Sequence, residues 1–115
     1  MDKQYDLRIL ENLALGNDGF VPKMVSLFLK QTPDLMSQIQ TAVQLMDVAM
    51  VSRVAHKMKS SIDTFCIMEI ADEIRMLERA SDAKWTSVEI EKAVEKILRI
   101  LTSVIEKLQI EFQPR

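Results

Sequence analysis

Apolar residues recur at intervals of three and four along almost the whole chain, and no stretch shows the two-residue alternation of a strand. Residues 6–14 are predicted to form a short amphipathic helix with Leu7, Leu10, Leu13 and Ala14 on one face. Leu15-Gly16-Asn17-Asp18-Gly19 closes it and opens the next, because glycine suits a helix stop and Asn or Asp a helix start. A second helix is predicted over 20–31. Proline lacks an N–H and fits only the first helical turn, so Thr32 reads as an N-cap and Pro33 as the first residue of a third helix. That helix covers 33–46, with Leu35, Ile39, Ala42, Val43 and Met46 inward. The alternative is one helix kinked at Pro33. Asp47 is the expected cap of a helix over 48–65, and 68–80 follows with Ile70, Ile74 and Leu77 inward.

The last start signal is the clearest. Thr86-Ser87-Val88-Glu89 is a capping box, and Trp85 before it sits where a hydrophobic staple packs on Ile90, which favours a structural role for Trp85 over a ligand platform. The helix it opens is predicted to run to Phe112, about 39 Å at 1.5 Å per residue. Ile90, Val94, Ile97, Leu101, Val104 and Leu108 alternate in steps of four and three, the spacing of a coiled-coil seam and equally of a bundle helix. Fewer than about four heptads favours the bundle. Short loops between long helices imply an all-α, antiparallel up-down four-helix bundle with additional short N-terminal helices.

Composition narrows the setting. The 115 residues are expected to form one domain over 1–115. Only two glycines and three prolines favour helices, and 5% aromatics call for an aliphatic, methionine-rich core. A net charge of −2 offers no field for nucleic acid. No run approaches the ~18 uncharged apolar residues of a membrane span, and the first residues lack the apolar run of a signal peptide. A single cysteine makes no internal disulfide. The expected setting is the cytoplasm, and the expected state a monomer.

Chemistry rests on one residue. His56 is the sole imidazole, in Ala55-His56-Lys57-Met58-Lys59-Ser60-Ser61. On a helical wheel Val51, Val54, Ala55, Met58, Ile62 and Phe65 form one apolar stripe, and His56 lies roughly 150° from its centre, pointing outward. Ala49, Ser52 and Ser60 share its strip and leave room for a close approach. Arg53, Lys57 and Lys59 surround it with positive charge. An ordinary imidazole, with a pKa near ~6.5, keeps one ring nitrogen free at neutral pH. Such a nitrogen takes a phosphoryl group when nearby cations neutralise the oxygens, and Lys59 is one turn away. A carboxylate on the opposite nitrogen would fix the tautomer. The bland alternative is a solvated surface histidine. A zinc site fails for lack of clustered ligands, a Ser-His-Asp hydrolase for lack of an oxyanion hole, and ATP binding for lack of a glycine-rich loop.

Together these residues resemble a histidine-containing phosphotransfer (HPt) domain of multistep two-component signalling. The resemblance runs over nearly the whole chain, from Tyr5-Asp6-Leu7-Arg8-Ile9-Leu10 through Thr32-Pro33-Asp34-Leu35 to the signature segment around His56. The family's His-x-x-Lys-Gly-Ser falls on His56 and Lys59, which implies that His56 is the phosphoryl acceptor and Lys59 its basic companion. Many members place Gln or Glu on the next helix near the ring; the corresponding residue is Glu78, implied to orient the imidazole. Ala49, Ser52, Arg53, Lys57, Ser60 and Asp63 are implied to form the docking rim. The implied partners are response-regulator receiver domains or a hybrid sensor histidine kinase, with Mg²⁺ held by the receiver and no cofactor bound by this chain. The chain departs from the family at Ser60 and Cys66, where glycines are usual, and at Met58, where leucine is. Cys66 is expected to pack in the core rather than serve redox chemistry. Two rival readings are the histidine-bearing substrate domain of a sensor or chemotaxis-type kinase and a helical adaptor without chemistry.

Overall fold

In the computed structural model, which describes residues 4–82 and 84–113, every regular element is helical. The elements are α1 (Arg8–Ala14), α2 (Phe20–Gln44), α3 (Val48–Thr64), α4 (Ala71–Glu78) and α5 (Ser87–Glu111), with a 3₁₀ turn at Met68–Ile70 leading into α4. Helices α2 to α5 form a ring in which each packs on the next and α5 closes against α2. The bundle is antiparallel where side chains cross between α3 and α4: Ser52 and Lys59 reach Glu78, and Asp63, further along α3, reaches back to Arg75. The fold expectation holds, with α1 as the short N-terminal addition.

The caps expected at Asp47 and Thr86 are present, whereas α2 starts from Gly19 with no side-chain cap. Asp47 accepts the Met50 N–H at 3.1 Å, and Thr86 and Glu89 complete the capping box of α5. Ile90, Val94, Ile97, Leu101, Val104 and Leu108 are all buried in the common core, so the seam of α5 faces its own bundle. The core is one contiguous cluster of mostly aliphatic side chains, in which the rings of Phe28 and Phe65 meet with centroids 4.5 Å apart.

Three local expectations are corrected. The helix break at Thr32-Pro33 is absent and the single-helix alternative holds: α2 runs through Pro33 for 25 residues, and Thr32 is a buried core position rather than an N-cap. Buried Val25, Phe28, Thr32, Ile39 and Ala42, with half-buried Leu35 and Met36 between, keep a three-four rhythm across the proline. Burial of one continuous face outweighs the hydrogen bond that proline removes. Met46 and Leu13, expected inward, are exposed. Met46 lies beyond the end of α2 at φ +48°, the left-handed residue of a Schellman turn in which Asp47 N–H bonds the Ala42 carbonyl at 2.9 Å.

Cys66 closes α3 in the same way. Its φ is +51°, Ile67 N–H reaches the Ile62 carbonyl at 3.0 Å, and Cys66 N–H reaches Asp63 at 3.1 Å. The thiol is half-buried at the bundle end rather than in the core. A left-handed residue here turns the chain into the 3₁₀ segment that sets up α4. A Cβ is disfavoured in that conformation, which is the physical reason for glycine at such a stop. Cys66→Gly is therefore expected to stabilise the fold by about 1 kcal/mol. Pro33→Ala is expected to add about 1–3 kcal/mol, since Pro33 is exposed and its loss restores a helical N–H. Urea melts measure both, and a lowered midpoint would contradict either assignment.

Candidate functional site around His56

The apolar stripe of α3, Val51, Val54, Ala55, Met58 and Ile62, is buried. That fixes the rotation of the helix and turns His56 outward, with its side chain 70% exposed. Helix α4 packs alongside α3 through Ile74 and Leu77, both fully buried. Glu78 is the last residue of α4, adjacent to Leu77, and so stands at the edge of the packed face, directly beside α3.

The carboxylate of Glu78 is shared. Its Oε2 contacts Nδ1 of His56, and both oxygens accept from Lys59 Nζ, each at 2.9 Å. The carboxylate is mostly shielded, at 21% exposure, and Lys59 is partly so. An ionised carboxylate only accepts, so Nδ1 carries the proton and donates it. In the neutral ring Nε2 then keeps its lone pair, and it has no hydrogen-bond partner among the described residues. Hydrogen bonds from His56 and then from Lys59 hold the Glu78 carboxyl below its ordinary value of 4.5. His56 and Lys59 are one turn apart on α3, so a single acceptor on the neighbouring helix reaches both.

The remaining predicted residues divide. Ser52, Arg53, His56, Lys57 and Glu78 line one open depression on the surface. Arg53 and Lys57 are exposed one turn apart, on either side of the ring's own position in the helix. Ala49 and Ser60 are exposed on the same strip of α3. The half-buried Ser52 donates its hydroxyl to the backbone carbonyl of Glu78. Asp63 is engaged with the Arg75 guanidinium through both oxygens, at 3.0 and 3.1 Å. The Ser52 contact was not foreseen from sequence. Its signal was a small hydroxyl residue one turn before His56 on a helix that must touch another. Among the described residues no group of three or more His, Cys, Asp and Glu gathers as a metal site, and no helix is long and apolar enough to cross a membrane.

A helical bundle that displays one outward imidazole, with its inner nitrogen on a carboxylate and lysines around it, has the makings of a histidine phosphotransfer module. The Hpt domain model matches residues 23–109, from the first turn of α2 to the last of α5, and the chain belongs to that family. Membership brings histidine phosphotransfer within a phosphorelay, among receiver domains and kinases. No curated protein and no solved structure matches the chain.

The shared carboxylate generates a titration prediction. Because the folded Glu78 titrates lower than the unfolded one, its bonds are fully present above the usual carboxylate range and are lost as pH falls through the folded value. A carbon-detected NMR titration should place Glu78 below 4.5, and both His56→Ala and Lys59→Ala should raise it, the first more strongly. A Glu78 midpoint indifferent to both substitutions would contradict the shared bond.

Proposed function

We propose that this chain is a phosphorelay intermediate in which His56 takes a phosphoryl group from the aspartyl phosphate of one receiver domain and passes it to the aspartate of another. The observation that carries this is the Glu78 carboxylate on Nδ1, with Nε2 left outward and free. In the transfer, the Nε2 lone pair attacks phosphorus and an N–P bond forms. The P–O bond to the donor aspartate breaks, and its electrons leave with that carboxylate. The positive charge that develops on the ring is stabilised by Glu78 through the Nδ1 proton. Transfer onward is the same step in reverse. This chain supplies no kinase activity of its own, and Mg²⁺ belongs to the receiver, whose acidic residues would hold it.

Lys59 has the second role. At rest its ammonium lies on Glu78. On this reading it turns to the phosphoryl oxygens when they arrive beside the ring and offsets their charge. Ala49, Arg53, Lys57 and Ser60 form the receiver-facing rim, with Asp63 at its margin, while the Ser52 hydroxyl is engaged with the Glu78 carbonyl. The burial of the α5 seam supports a monomer, since the apolar residues that would join two copies lie in the chain's own core.

The test is incubation with a phosphorylated receiver domain. His56→Gln should abolish acid-labile label with the helical spectrum unchanged; undiminished transfer would falsify the assignment. Lys59→Ala should slow transfer about tenfold, less than the 10²–10³ of a water-excluded oxyanion donor because the site is open to solvent. Its fold should persist, since an ion pair this open to solvent adds little to stability. Glu78→Ala should slow transfer too. The carboxylate would serve equally in a kinase's substrate domain. Label acquired from an ATP-loaded kinase and never from a receiver would assign the chain there instead.

A further inference from the structure

We infer that Ser52 is the positioning residue that holds Glu78 under the His56 ring, an inference that rests on the phosphoryl-carrier reading of His56. Glu78 ends its helix, and a helix end leaves carbonyls without internal partners. The accounting at this end is specific. Arg79 N–H goes to the Met76 carbonyl at 3.2 Å, Ala80 N–H to Leu77 at 3.0 Å, and Asp82 N–H to Arg79 at 3.1 Å. Among the described residues, no backbone N–H of this tightened turn reaches the Glu78 carbonyl. The Ser52 hydroxyl is what it receives, from the neighbouring helix. Without that bond, Glu78 is a residue at a terminating turn, where helices fray.

The bond joins the backbone of Glu78 to α3 one turn before His56, and the side chain of the same residue meets α3 again at His56 and Lys59. Backbone and carboxylate are thus pinned to one helix at successive turns. Fixing the backbone removes the freedom that would let the carboxylate swing to solvent or give itself wholly to Lys59. The imidazole then keeps its proton on Nδ1, and Nε2 stays bare. Ser52 is half-buried and touches no reacting atom, so it acts on the ring only through Glu78. This differs from a docking role, in which the hydroxyl would face a partner.

The experiment separates these roles with phosphoramidate, a donor small enough to need no docking, alongside ¹⁵N NMR of the imidazole. Ser52→Ala should retain the helical spectrum, since alanine is the better helix former. Its His56 signals should move toward the Nε2–H tautomer, and labelling by phosphoramidate should slow about three- to tenfold, the range that one hydrogen bond's net worth gives. Ser52→Thr, which keeps a hydroxyl, should restore both. An unchanged tautomer with unchanged labelling overturns the inference. So does slowing seen only with a receiver as donor, which would make Ser52 a docking residue. So does unfolding of Ser52→Ala, which would make the hydroxyl a support of the fold at large. Wild-type protein that no donor labels at His56 would instead overturn the carrier reading, and the tautomer shift would still decide the role of Ser52.

Discussion

The contact between α3 and α4 is the constraint on which the site depends. Neither helix alone holds the candidate site: α3 carries the imidazole and the ammonium, and α4 carries the carboxylate that contacts both. Burial of Val54, Ala55, Met58 and Ile62 from one side and Ile74 and Leu77 from the other sets the rotation of each helix. Once those rotations are fixed, Glu78 meets α3 between His56 and Lys59, because those two residues lie one turn apart on the same strip. Hydrophobic packing thus aims a polar constellation that lies almost wholly outside it. The polar bonds are worth little to stability at so open a place, and their consequence is chemical: they choose which ring nitrogen is left free.

The ends of α3 and α4 matter for the same reason. Helix α3 stops in a left-handed turn at Cys66, and the 3₁₀ segment Met68–Ile70 sets the start of α4. The N-terminal segment ties that end down, with Asp6 N–H on the Phe65 carbonyl at 2.9 Å and the buried Tyr5 hydroxyl on Glu111 at 2.5 Å. Burial, helped by the neighbouring carboxylate, pushes the Tyr5 hydroxyl's titration well above its ordinary range, so it remains a donor. The far end of the bundle is held by this latch, and the near end by Ser52 on Glu78. Between the two, α4 is only eight residues long, and short helices owe their place to such tethers more than to their own turns.

Much of this was legible in the chain. Periodicity gave the helices, their inward faces and the outward turn of His56, since all follow from where apolar residues recur. Capping residues placed the starts of α3 and α5, because a side chain that bonds its own helix acts locally. Pro33 misled for the converse reason: proline is a local signal, and the burial rhythm from Val25 to Ala42 that overrides it extends over most of the helix. Leu13 misled because the single turn or two of α1 touches the bundle along a narrow line, and only Leu10 on that helix is fully covered. Glu78 came from family resemblance and its wheel position. The Ser52 hydroxyl's partner depends on how two helices are offset along their axes, and no spacing within one helix encodes that.

Charge explains why the carboxylate and the ammonium belong together beside the ring. With the imidazole neutral, the ion pair of Glu78 and Lys59 adds no net charge against the core, and the carboxylate is satisfied from two sides. On the proposed reading, a phosphoryl group then arrives with its own negative charge at Nε2, where Glu78 alone would repel it. Lys59, already at the site and tethered only by bonds to one carboxylate, has a second anion to serve. Arg53 and Lys57 stand exposed on the same helix, and no ion pair engages them among the described residues. A carboxylate close enough to fix the tautomer is close enough to oppose the phosphate. The basic cluster on α3 is the physical answer to that conflict, and it accounts for why so positive a patch sits on a chain whose net charge is −2.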